Sequence, residues 1–86
     1  MYLRYTNSFL KDYQKLTVDH QNLADKSLSL FLQNHRHPSL HVKKMHGFAN
    51  IWEARISIGF RFTFEFASEE EIILRRIGKH DILRKP

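Results

Sequence analysis

The chain has 86 residues, 14 Lys and Arg against 9 Asp and Glu, a net charge of +5, and no cysteine. That length supplies one core, a single domain over residues 1–86, and the missing thiols exclude a disulfide framework and a thiolate metal centre. No run approaches the ~18 apolar residues of a membrane span and Met1-Tyr2-Leu3-Arg4 lacks a signal-peptide core, so cytoplasmic residence without a membrane partner is expected.

Met1 to Tyr5 is short, apolar and aromatic and predicts a first strand. Thr6-Asn7-Ser8 offers oxygens to cap a helix, and Phe9, Tyr13 and Leu16 follow on one helical face. Thr17 to Asp19 supplies a second cap. Ala24, Leu28, Phe31 and Leu32 repeat the helical spacing, and a second helix is expected to run to about Asn34–Arg36, ended by Pro38. The two helices form a hairpin. A short strand within His41 to His46 is a further possibility.

Beyond Pro38 the apolar period falls from 3.6 to 2. Trp52, Ala54, Ile56 and Ile58 alternate with Glu53, Arg55 and Ser57; after Gly59, Phe60, Phe62, Phe64 and Phe66 alternate with Arg61, Thr63 and Glu65. Ser68-Glu69-Glu70 makes a polar turn, and a last strand runs from Glu71 to Ile77, ended by Gly78. The fold class is α+β: an N-terminal strand and a two-helix hairpin packed on one face of a three- to four-stranded, mainly antiparallel sheet. Trp52, in phase with Ile56, belongs to the core.

With the Phe residues turned to the helices, Glu53, Arg55, Arg61 and Glu65 point to the other face of the sheet. Cross-strand neighbours there lie ~5 Å apart, so Arg55 and Arg61, flanking the Gly59 turn, can share one surface. Lys79 and His80, past the last strand, fall at its rim, and His46 beside Gly47 can reach it. The surplus of positive charge points to a polyanion partner, either nucleic acid or an acidic protein segment. Arg75 and Arg76 alternate, so at most one of them serves that surface. His35-Arg36-His37 has no supporting carboxylate, and no histidine pair has helical i, i+4 spacing with a third ligand. No metal and no cofactor is expected.

The whole pattern resembles the RelE/ParE toxins, and the YafQ and RelE messenger-RNA-cleaving branches most. The likeness rests on Phe9-Leu10-Lys11-Asp12-Tyr13-Gln14-Lys15-Leu16, on Gly47-x4-Trp52-Glu53-Ala54-Arg55-Ile56, on Gly59-Phe60-Arg61-Phe62-Thr63-Phe64 and on Ile77-Gly78-Lys79-His80-Asp81. It implies a metal-independent endoribonuclease that cuts mRNA on the ribosome, uses the RNA's own 2′-OH as nucleophile, and is held by an acidic antitoxin. By the same resemblance Arg55 binds the scissile phosphate, Arg61 stabilises its charge and His80 is the proton donor or an electrostatic stabiliser. Lys43, Lys44, His46, Arg76 and Lys79 complete the expected RNA-binding set. Glu53 stands where some members carry Lys; it is either the general base or a partner of Arg55 or Arg61. Many active members end on an aromatic residue, and this chain ends Ile82-Leu83-Arg84-Lys85-Pro86. Two other readings follow: a ParE-like inhibitor of DNA gyrase, and a decayed toxin kept as an interaction module.

Overall fold

Thr6 and Thr17 fix where the helical half of the molecule begins. The computed structural model describes all 86 residues; strand β1 spans Tyr2–Tyr5 and helix α1 spans Asn7–Gln14. The Thr6 hydroxyl accepts from the Phe9 N–H at 3.1 Å, satisfying one of the orphan donors of the first turn. It also donates to the Leu74 carbonyl at 2.9 Å, so the cap ties the helix to the sheet. Thr17 repeats the device on the His20 N–H at 3.2 Å and opens α2, Val18–Gln33. Pro38 then starts a short 3-10 turn, Pro38–Leu40, that buries Leu40.

The remaining strands are β2 (Lys43–Lys44), β3 (Trp52–Ser57), β4 (Phe60–Phe66) and β5 (Glu71–Lys79). They form a five-stranded sheet in the order β1-β5-β4-β3-β2. β1 runs parallel to β5 and every other pair is antiparallel. The α+β architecture is as the change of period predicts: the N-terminal strand joins the four that follow the helices in one sheet. The stretch His41–His46 contributes only Lys43 and Lys44, and the first strand pairs at the opposite edge.

Phe60, Phe62 and Phe64 are buried toward the helices, as the alternation predicts. Phe31 of α2 meets Phe62 and Phe64 edge-on, with ring centroids 5.2 and 4.8 Å away, a favoured aromatic geometry. Together with Phe9, Ala24, Leu28, Leu40, Ala54, Ile72, Leu74 and Ile77 they make one core. Two residues assigned to the inner face are not on it. Leu32 is 43 % exposed, because the stripe of Ala24, Leu28 and Phe31 continues to His35, which packs edge-on against Phe31. Ile58 is 89 % exposed, because β3 ends at Ser57 and Ile58-Gly59 make the turn. Two bulges matter below: Ile56 is skipped in the β3–β4 ladder and Arg75 in the β4–β5 ladder.

Candidate active site on the polar face of the sheet

Residues paired across antiparallel strands share a face, so the ladder itself assembles the polar surface. One row across the sheet is Lys43, Glu53, Thr63 and Arg76; the next is Arg55, Arg61 and Gly78. Arg55 and Arg61 therefore stand directly opposite each other, an arrangement that is repulsive unless an anion intervenes. Glu53 supplies part of it: its Oε1 lies 3.7 Å from Arg61 Nε, with both side chains about nine-tenths buried. Arg61 is committed further, since its Nη1 donates to the Ser57 carbonyl at 2.6 Å and closes the β3–β4 turn. Arg55 is different. It makes no hydrogen bond or ion pair, and its buried Nε has no acceptor. Glu53 thus answers only one of the two guanidinium groups, which leaves a local surplus of one positive charge beside uncommitted donors. Such a cluster suits an oxyanion.

The polar face is less open than alternation alone suggests. After β5 the chain forms a 3-10 turn, His80–Arg84, that lies against β4 and β5. Ile82 is buried over Gly78, where an added Cβ would come within 3.0 Å of the Ile82 Cγ2. The last strand therefore does not end at Gly78, as the sequence suggests, but runs through it to Lys79, and the missing side chain makes room for the tail. Thr63, in the neighbouring row, is fully buried and its hydroxyl lacks a partner.

Arg75 and Arg76 grip that tail. Arg75 Nε donates to the Pro86 carbonyl and Arg76 Nη1 to the Lys85 carbonyl, each at 3.1 Å. Strict alternation sends these two arginines to opposite faces. Arg75 is the extra residue of the bulge, so both reach the same segment. Arg75 also pairs with Glu65 at 2.9 Å. Arg76 is clasped by both carboxylate oxygens of Asp12 in α1, at 2.6 and 3.2 Å. That hydrogen-bonded carboxylate raises the Arg76 pKa against the opposing effect of burial. Asp12 accepts in addition from the Ile77 N–H at 3.1 Å, covering the edge of β5 where β1 has ended. Arg76, placed in the RNA-binding set on sequence, thus has its charge met by Asp12 within the fold.

The other expected residues divide. Glu53, Arg55 and Arg61 come together, with Lys43 across from Glu53. His80 is exposed just past the end of β5, where Gly78 pairs with Arg61; Lys79, exposed too, pairs with Phe60 and so projects to the helix side, away from the cluster. Lys44 pairs with Trp52 and so projects to the aromatic side. His46 is exposed on the connection into the start of β3, in a separate hollow with Lys44, Met45, Gly47 and Phe48. Asp12 was missed in the sequence, although it is the only acid in α1. The covering tail was missed too; Gly78 followed four residues later by Ile82 was its only signal.

No protein-family model matches the sequence, and no curated protein does either. Solved structures do match. The YoeB/ParE toxin from Agrobacterium tumefaciens superposes with a TM-score of 0.76 at 19% identity, over 93% of this chain and 99% of that one. YafQ from Escherichia coli strain BL21(DE3) gives 0.78 at 14% identity, over 94% of each chain. A chain of the RelB-RelE antitoxin-toxin complex from Methanococcus jannaschii gives 0.73 at 17% identity, again over 94% of each. At such identities the likeness is one of backbone, and it runs nearly end to end. This chain is built on the fold of the RelE/ParE toxins of toxin–antitoxin systems.

Proposed function

We propose that the chain is the toxin of a toxin–antitoxin pair and acts as an endoribonuclease on messenger RNA at the ribosome. The observation that carries this reading is Arg55 standing opposite Arg61 with one carboxylate nearby, Glu53, which reaches only Arg61. A phosphodiester brings the missing anion. Arg55, with uncommitted donors, takes the scissile phosphate, and Arg61 reinforces the charge that develops on it as the RNA's 2′-OH attacks phosphorus. Each such preorganised donor contributes ~3 kcal/mol to a transition state of this kind. Glu53 turns Oε1 to Arg61 and keeps Oε2 unpaired, so it serves as acceptor for the 2′-OH proton. His80, exposed at the rim, gives a proton to the departing 5′-oxygen. This chemistry asks for no metal, because the nucleophile belongs to the substrate. Lys43, across from Glu53, extends the positive surface along the RNA.

An acidic antitoxin segment is the proposed partner of that surface, folding as it binds and covering the cluster. Support comes from the similar structures: YafQ is found in a complex with DinJ, and RelE in one with RelB.

Cell-free translation with added protein tests the reading. Inhibition with cut message is the expected result. Inhibition of gyrase supercoiling with intact message supports the ParE-like alternative, and no effect in either assay supports a decayed toxin. His80→Gln separates roles within the site. It retains hydrogen bonding without titrating, so it is nearly inactive if proton transfer is the role and substantially active if position alone matters.

A further inference from the structure

The aromatic side of the sheet has hollows of its own, away from the arginine cluster. Two adjoining hollows, of about 420 and 490 Å³, share His35, Arg36, Trp52 and Phe66 as walls. His37 and His41 also line the first, whose lining includes no carboxylate. The rings form a continuous corner: His35 and Phe66 have centroids 5.6 Å apart, and Phe66 meets Trp52 at 5.3 Å. Arg36 is exposed at the mouth. His37 accepts at Nδ1 from the Ser39 N–H (3.2 Å) and hydroxyl (2.8 Å), which places its proton on Nε2 as a donor. The indole N–H of Trp52 is buried without a partner and closed to any ligand, so recognition here is by ring faces and cations.

We infer that this hollow is a nucleotide subsite, taking one unpaired base of an RNA strand against the Trp52–Phe66–His35 corner with its phosphate on Arg36. The chemistry favours that occupant. Flat heteroaromatic bases stack on aromatic rings whatever their sequence, and a guanidinium fork matches phosphate. The volume suits a ligand of nucleotide size. An acidic peptide satisfies the charge but not the ring corner. A cationic path also joins the hollow to the arginine cluster. On edge strand β2, Lys44 pairs with Trp52 on the aromatic side and Lys43 with Glu53 on the polar side, so consecutive lysines wrap the sheet edge. The choice of RNA rests on the ribonuclease reading; the existence of a base-and-phosphate site does not.

Trp52 is the only tryptophan and therefore reports its own site. Its emission is titrated with adenosine 5′-monophosphate and with an uncleavable 2′-O-methyl hexaribonucleotide. Saturable quenching by both probes is expected for the wild type, and by adenosine 5′-monophosphate, unchanged, for Arg55→Ala. Arg36→Glu, an exposed substitution checked by thermal melting, weakens the binding ~10-fold or more, and Arg36→Lys restores part of it. Three results overturn the inference: no quenching by either probe, quenching indifferent to Arg36→Glu, or quenching by adenosine 5′-monophosphate abolished by Arg55→Ala. Quenching by an acidic peptide but by neither nucleotide assigns the hollow to a protein partner and also overturns it. Message cleavage read in parallel keeps the two readings apart. A protein that quenches normally but cuts nothing loses the ribonuclease reading and keeps this one.

Discussion

Two pairs of arginines occupy the polar face of the sheet, and their surroundings differ. Arg75 and Arg76 each hold a carboxylate and a tail carbonyl, from Glu65 and Pro86 for one and from Asp12 and Lys85 for the other. Arg55 and Arg61 have one carboxylate beside them, Glu53, and only Arg61 reaches it. Exposure alone misleads here: the Arg75 and Arg76 side chains are 37 and 30 % exposed, that of Arg61 only 9 %. The partners decide. A cation with its donors filled holds the fold together, whereas one left with free donors beside a like charge attracts a ligand.

The sharpest break of that contrast is kinetic. Arg55→Ala should lower message cleavage by ~10²–10³ while shifting stability by no more than ~0.5 kcal/mol. Arg76→Ala should do the reverse, lowering the melting temperature and leaving the cleavage rate of the folded fraction near wild type. Arg61→Ala should suffer on both counts, since it also closes the β3–β4 turn through Ser57. Comparable losses of cleavage from Arg55→Ala and Arg76→Ala, measured on equally folded protein, would erase the distinction. The next largest effect belongs to Asp12. Removing its carboxylate strands Arg76 and uncovers the Ile77 N–H, a cost of about 2 kcal/mol for charge-assisted bonds that are partly screened. Urea unfolding of Asp12→Ala reads this directly, and a midpoint equal to wild type would deny Asp12 its anchoring role.

What was legible in the sequence follows from periodicity. The Phe60 to Phe66 alternation set the faces of β3 and β4, and with them the meeting of Arg55, Glu53 and Arg61, because a ladder converts spacing into proximity. Thr6 and Thr17 were legible as caps because their chemistry is local. What failed was whatever broke the period or crossed it. The bulge at Arg75 put two neighbours on one side, against alternation. Asp12 reaches Arg76 across 64 positions, and no local pattern encodes such a contact. The tail covers the sheet through Ile82 on Gly78, a contact written as the absence of a side chain. His35 and His37 were weighed in the sequence only as metal ligands. Their place beside Trp52 depends on how the end of α2 meets the start of β3.

Salt gives a finer measure of which cations meet RNA. On log–log axes, affinity for a single strand falls with salt by ~0.7 per phosphate contact. Neutralising Arg55 should reduce that slope by somewhat less than one unit, and so should neutralising Lys43. Arg76→Ala should leave it alone, since Asp12 already neutralises that charge. An unchanged slope for Arg55→Ala would remove Arg55 from the RNA site.

The smallest effect comes from a second helical carboxylate. Asp12 clasps a cation, whereas Asp25 of α2 accepts from the Tyr13 phenol of α1 at 2.8 Å and ties the two helices together. The hydrogen bond to Asp25, then burial, then the nearby negative charge raise the Tyr13 pKa above its ordinary value of 10.0. The sign of the linkage is set by the neutral phenol being the bonded form. Its contribution is whole below the ordinary phenol value and is lost as pH rises through the higher value of the folded state. Tyr13→Phe should therefore cost no more than ~1 kcal/mol at neutral pH, the net worth of one such bond. The difference between wild type and Tyr13→Phe should stay flat up to about pH 10 and shrink above it. Paired urea titrations at neutral and alkaline pH measure that difference. A gap that widens with alkalinity would mean the phenolate is the favoured form in the fold, and would exclude Asp25 as its partner.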